Sequence, residues 1–456
     1  MEASARQTVA AAKGGLKVST PRAPKPKLPV FIAAVIAVGL LCLGKMFLFT
    51  EWGTGFTPEL DEKIRLGEMD INPQDLERLD RTLLKSDKPL YPILLERKEM
   101  SAAQRKKMIQ DAVDKQLLPY IMENRTFTIQ QVDKLKKRNN FAMRVIKHGD
   151  NLTIVQTEQE KDNWAYWYRM DQTAIALKAM QRIGMLPHRF DLVVNLNDEP
   201  NMSQRDFTLG LPPLFSYCST PRNYDLLWVG WQYWRCLSTR HWEDFMAEPD
   251  CPKPFNITEA VHNHPWKTRI PQALWRGSPT GRRHTESNWR VKPRPLLAMI
   301  SQDNPDVLNC TLSKCQEGQC TEEAVEQMQQ VVGFQDKMLK TKDYLRHKYL
   351  VDVDGNSYSS RFALLLSTGA LVFKQDTHYE EFLDLFFQPD RHYVRVEKDF
   401  SNLVGEVKKA IREDRRAELM AARSVALMQY IVEKDIVFEY LQTLIEAYAK
   451  LLVWDD

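Results

Sequence analysis

The sequence predicts an α/β protein in which two layered halves face each other across a cleft, preceded by one membrane-spanning helix and closed by a helical C-terminus. Three observations predict it: an apolar run over residues 28–49, two stretches near 171–199 and 348–375 where helix and strand patterns alternate, and an amphipathic stretch from about Leu403 onward. A chain of 456 residues, 43% of them apolar, is long enough to bury a large core. A formal net charge of only +3, with no Lys and Arg block interleaved with aromatics, excludes a nucleic-acid surface.

Leu28 to Phe49 reads LPVFIAAVIAVGLLCLGKMFLF, with its one charge, Lys45, near an end from which the side chain can snorkel. Such a run spans roughly 30 Å as a helix, the thickness of a bilayer's hydrocarbon core. Arg6, Lys13, Lys17, Arg22, Lys25 and Lys27 precede it against the single acid Glu2. By the positive-inside rule residues 1–27 are expected in the cytosol, 28–49 as a signal anchor and the rest in the lumen. A cleaved signal peptide would have a shorter apolar region and a small-residue cleavage site, whereas GKMFLFTEW follows here.

Two features agree with a lumenal body. Cys42 falls in the span, and the even set Cys218, Cys236, Cys251, Cys310, Cys315 and Cys320 is expected to form disulfides, three if all pair. A zinc site at the last three would want C-x2-C pairs or companion His residues. N-x-S/T acceptors for glycosylation stand at Asn124, Asn151, Asn201, Asn256 and Asn309, all after the span.

Residues 50–118 are charged and poor in aromatics, with helical stretches such as EMSAAQRKKMIQDAVDKQLL, and read as a stem; residues 119–456 read as the folded body, divided near 262. NNFAMRVIKHGDNLTIVQ alternates about a Gly-Asp turn and predicts a hairpin. From Asp171 a helix is predicted, then FDLVVNL as a buried strand and NDEPN as a loop. Farther on, KYLVDVD, GNSYSS, RFALLLSTG and ALVFKQ predict strand, turn, helix and strand, a βαβ unit with a parallel sheet.

Chemistry-bearing residues lie in the loops that follow these strands, where open α/β sheets place their ligands. The turn from Gly355 to Arg361 offers free N–H groups, the hydroxyls of Ser357, Ser359 and Ser360, and the guanidinium of Arg361, a set suited to phosphate oxygens. An ordinary Ser-capped helix would use the same residues. ALWRGSPTGRRH opens a second Gly- and hydroxyl-rich turn, and Arg294 stands just before the apolar run LLAMI. Asp198, in N-D-E-P after the buried strand, suits a general base whose pKa apolar walls would raise; the plain alternative is a turn Asp before Pro. Asp352 and Asp354 form a D-x-D, but the pair abuts a Gly-Asn turn where an Asp commonly satisfies local backbone, and no metal is expected there.

LPPLFSYCST, ALWRGSPTG and KYLVDVDGNSYSSRFALLLSTGALVFKQDTHYEEF followed by HYVRV, from about Ile121 to the end, resemble the capsule-associated protein family of glycosyltransferases. That family includes a fungal capsule xylosyltransferase and the animal protein O-glucosyltransferases. The resemblance implies a GT-B-like fold of two Rossmann-like halves and transfer of a sugar, xylose or glucose, from a UDP-sugar to a hydroxyl of a glycan or protein, with inversion. It implies Asp198 as the catalytic carboxylate. Ser278 and Arg294 match its donor-site positions, as does the diphosphate turn of Asn356, Ser357, Tyr358, Ser359, Ser360 and Arg361; Arg276 belongs to the W-R-G-S motif beside them. The cofactor set is then the UDP-sugar alone, with a divalent metal not required. Soluble members carry an ER-retention tetrapeptide; with VWDD and an anchor instead, the expected place is the Golgi membrane. A lumenal binding protein on the same fold is the rival reading, and the intact candidate base and donor turn argue against it.

Overall fold

The computed structural model describes residues 73–91, 94, 101–155, 164–231, 233, 261–335, 339–432 and 434–454, all within one compact unit that begins at Leu60. The expected anchor over residues 28–49 lies outside them; among the described residues no helix is long and apolar enough to cross a membrane.

Helix α1 (Pro73–Lys85) precedes α2 (Ala102–Met122), which starts on a reciprocal cap between Ser101 and Gln104. Ile109, Val113, Leu117 and Tyr120 recur along one side of α2 and are buried in the main core. The body therefore begins before residue 118, and the segment expected as a stem carries a core helix. Its charged residues cover the outer face and hid that role.

After a two-residue strand, β1 (Phe127–Thr128), the predicted hairpin forms from β2 (Ala142–His148) and β3 (Asn151–Val155) around Gly149. Helix α3 (Trp164–Arg182) begins before the Asp171 at which the sequence placed its start, and strand β4 (Arg189–Asn195) follows as read, buried from Phe190 to its end. A charge inside such a strand must be paired, and Asp191 is held by Arg144 through Nε at 2.8 Å and Nη2 at 2.6 Å. β5 (Phe215–Ser216), β6 (Cys218–Ser219) and β7 (Leu226–Leu227) come next. The first sheet runs β3-β2-β4-β5-β7, antiparallel at β2 and parallel from β4 onward, so this half is mixed.

The second half is fully parallel. β8 (Ile270–Gly277), α4 (Pro293–Asp303), β9 (Leu308–Leu312), β10 (His347–Asp352), α5 (Phe362–Ser367) and β11 (Leu371–Gln375) lead through β12 (Glu380–Glu381) to β13 (Val394–Val396). The predicted βαβ unit is β10-α5-β11, with Tyr349 opposite Leu371 and Asp352 opposite Lys374. Helix α5 stops because Gly369 takes φ +68°, a conformation in which a side chain would also press on Val261. The sheet order β13-β11-β10-β8-β9 reverses between β8 and β10. At such a switch point the loops beyond adjacent strand ends diverge and leave a crevice.

One short ladder ties the halves together: β12 runs antiparallel to β6, with Glu381 opposite Cys218. Helices α6 (Leu403–Arg412), α7 (Asp414–Val432) and α8 (Lys434–Ala449) give the expected helical C-terminus. From α8, Tyr440 donates to Leu227 O at 2.7 Å and Tyr448 to Asp191 O at 2.9 Å, and β14 (Leu452–Val453) then pairs with β1. The C-terminus thus crosses back to complete the first half.

Candidate active site

Both loops at the switch point leave the carboxyl ends of their strands. Ser278 follows β8, and residues 353–361 follow β10, its parallel neighbour. Arg294, at the start of α4, reaches between them: Nη1 donates to Ser278 O at 2.9 Å, Nε to Asp354 O at 2.8 Å and Nη2 to Val353 O at 3.4 Å. Burial, then the charge of Arg361, pushes its pKa down to about 9, so it remains a cation at neutral pH. The approach is close enough that a Cβ on Gly355 would lie 2.9 Å from Arg294 Nη2.

A second strut comes from the loop after Ser278. Gly281, at φ +108°, donates its N–H to Asn356 Oδ1 at 3.1 Å, and a Cβ there would lie 2.9 Å from the Gly355 carbonyl oxygen. Only glycine lets the two backbones meet at that spacing. Ser278 Oγ is 3.1 Å from Ser313 Oγ.

Arg361 precedes α5 and donates through Nη1 to Arg276 O at 2.5 Å, which leaves other donors of its fork available. Among the described residues, the backbone N–H groups of Asn356, Ser357, Ser359 and Ser360 donate to no protein acceptor. A run of unpaired N–H groups beside a guanidinium is an anion-binding concavity.

Arg276 is turned elsewhere. Its guanidinium donates to Gln335 Oε1 at 3.0 Å, Trp275 O at 2.7 Å and Asn309 Oδ1 at 2.6 Å, so its side chain braces the edge of the sheet and only its carbonyl meets Arg361. Asp352 is buried and accepts from Ser359 Oγ at 2.5 Å, which makes Ser359 a brace of the turn. Burial raises the pKa of Asp352, and pushes Asp354 up to about 7 against a bond from Thr377. Among the described residues no three His, Cys, Asp or Glu side chains group to hold a metal ion.

Asp198 stands in the loop after β4, and its polar atoms divide cleanly. Its N–H donates to Asn197 Oδ1 at 2.8 Å, its carbonyl accepts from Cys218 Sγ at 3.2 Å, and Oδ1 accepts from Arg169 Nη2 at 2.6 Å. Oδ2 has no partner among the described residues, and the side chain is 43% exposed. Asp198 therefore sits against a guanidinium, not between the apolar walls that the sequence suggested.

Tyr358 and Ser357 lie close enough to the Cys218 sulfur to influence its ionisation, so this thiol, bonded to the Asp198 carbonyl, sits beside the turn after β10. Cys218 and Cys310 are buried free thiols, Cys310 Sγ lying 3.6 Å from Ala273 O within the second sheet. This corrects the expectation of disulfides throughout: Cys218 and Cys310 are free, while Cys315 and Cys320 are bonded and Cys236 and Cys251 lie outside the described residues.

The model for Glycosyl transferase family 90 matches residues 109–455. The chain belongs to that family. Protein O-glucosyltransferase 2 of Danio rerio is 24% identical over 288 residues, which cover 63% of this chain and 52% of that protein. Protein O-glucosyltransferase 3 of Homo sapiens is 26% identical over 157 residues, 34% of this chain and 29% of the relative. For O-glucosyltransferase rumi of Drosophila melanogaster the figures are 22% over 288 residues, 60% and 63%. The match spans less than two thirds of each of these proteins. In this family 90 chain the sequence did not single out Arg169 and marked Cys218 only as a disulfide cysteine; they reach Asp198 across 29 and 20 residues, and no local pattern marks those contacts.

Proposed function

We propose that the chain is a type II Golgi membrane enzyme, GT-B-like in fold, whose lumenal body transfers a sugar from a UDP-sugar to a hydroxyl of a protein or glycan with inversion. Glucose is favoured by the names of the relatives, with xylose the other candidate. The observation that carries this reading is Asp198: three of its polar atoms are held and Oδ2 is left unpaired at the partly exposed end of a strand loop.

In one step Oδ2 takes the proton of the acceptor hydroxyl as its oxygen bonds the anomeric carbon, while the bond to UDP breaks and UDP leaves with the electron pair. Charge then builds on the diphosphate. Arg361 and the unpaired N–H groups of Asn356, Ser357, Ser359 and Ser360 would receive it, without a metal ion. Arg294 and Ser278 act by holding the two loops at the right separation. Cys218, on the strand that pairs with β12 of the other half, holds the base loop through the Asp198 carbonyl.

The direct test is UDP release. Purified protein incubated with a panel of UDP-sugars and an acceptor should release UDP from one or two of them, at a rate unchanged by excess chelator. Release from none, with a folded protein that also fails to bind UDP, would overturn the reading.

A further inference from the structure

Arg169 lies on α3 with its side chain 15% exposed, and its fork is divided between two acceptors. Nη1 donates to Leu196 O at 2.6 Å and Nη2 to Asp198 Oδ1 at 2.6 Å. The same guanidinium thus grips the backbone where β4 ends and the carboxylate two residues later. α3 is itself anchored beside the contact, since Thr173 Oγ1 donates to Arg169 O at 2.9 Å and lies 3.4 Å from the buried Tyr217 hydroxyl. A rigid planar fork fixed at one end to backbone leaves the carboxylate one orientation.

We infer that Arg169 is the positioning residue of this transferase: it binds Oδ1 so that Oδ2 alone faces the acceptor hydroxyl. This inference rests on the reading of Asp198 as the base. Arg169 takes no proton and touches no reacting atom. Its effect is on the angle at which Oδ2 meets the O–H bond, and misplacement of about 1 Å at such a point costs on the order of 100-fold in rate.

A double-mutant cycle separates this role from a merely structural one. Arg169→Met should lower kcat about 10- to 100-fold with the KM for UDP-sugar unchanged, and Arg169→Lys, which keeps a charge that can reach the carboxylate, should recover part of the loss. In an Asp198→Asn background Arg169→Met should cost nothing further, because its target is gone. Normal kcat in Arg169→Met, beside a strong loss in Asp198→Asn, overturns the inference and leaves the base reading standing; so does an equal loss in both backgrounds. Near-normal transfer by Asp198→Asn removes the base reading and the inference with it. If Arg169→Met fails to fold, Arg169→Lys carries the test: a kcat loss absent in the Asp198→Asn background supports the inference, and wild-type kcat overturns it.

Discussion

Arg294 Nε donates to the carbonyl oxygen of Asp354 at 2.8 Å, and the remainder of that guanidinium is given to Ser278 O and Val353 O. Three carbonyls from two strand ends therefore converge on one cation. Arg361 makes a single such bond, to Arg276 O. On the proposed reading the two arginines hold different posts: Arg294 braces the loops, and Arg361 keeps donors for the diphosphate.

Substitution should separate them. Arg294→Met leaves carbonyls that are partly buried without a donor, each costing about 1–3 kcal/mol, so the melting temperature should fall by several degrees and donor binding should fall with it. Arg361→Ala should instead weaken UDP binding about 10- to 150-fold, the equivalent of a charge-assisted contact of about 1.5–3 kcal/mol, with melting little changed. Calorimetry of UDP binding and thermal melts on both variants check this. Equal melting losses in the two would show that Arg361 is a brace as well.

Buried carboxyls give the fold a pH dependence with a definite sign. Glu381, on the strand joining the halves, is pushed up to about 8 by burial and then by Asp384, against the attraction of Lys374. A carboxyl whose folded pKa is raised contributes stability that is full below its unfolded value near 4.5 and lost as pH rises through 8. Asp354, pushed up to about 7, acts in the same direction. The melting temperature should drop as pH rises from about 4.5 to 8, and Glu381→Gln should flatten that drop. An unchanged slope in the variant would assign the dependence to other groups.

Local features of the site were legible in the sequence because the residues that build them are neighbours in the chain. The β10 turn, α5 and the parallel β11 follow from a strand pattern, a polar hexapeptide and Gly369 within 30 residues. The clamp of Arg294 on Val353 and Asp354 spans 59 and 60 residues, and nothing in an isolated Arg marks a partner so distant. The same holds for the contact of Arg169 with Asp198, which replaced the expected apolar walls. The helical character of α2 is legible in the sequence, but its many exposed charges masked the stripe of Ile109, Val113 and Leu117 that packs it into the core.

Thiol chemistry tests the cysteine assignment. Cys218 and Cys310 are buried, and burial raises both pKa values, Cys310 to about 12, so neither should react with a maleimide in the native protein. Both should label in denaturant without reductant, while Cys315 and Cys320 label only after reduction. Mass spectrometry of the labelled peptides reads this directly, and protection of Cys310 in denaturant would restore a bridge there.

Glycosylation should be selective. Asn124, Asn151 and Asn201 are exposed, Asn201 donating to Asn139 Oδ1 at 2.5 Å, whereas Asn309 lies within β9 bonded to Arg276. In a chain made through the secretory pathway, Asn124→Gln and Asn151→Gln should each remove one glycan's mass, and Asn309→Gln none. A glycan on Asn309 would mean that the strand is not formed when the modification is made.

The most direct test of the central claim is single-turnover transfer by Asp198→Asn, measured beside UDP affinity. The substitution keeps size and most hydrogen bonding while removing the proton acceptor. Transfer should fall by about two to four orders of magnitude with UDP affinity unchanged and the melting temperature near that of the parent. Near-normal transfer by a folded Asp198→Asn protein would contradict the account, because the proton would then be leaving by another group.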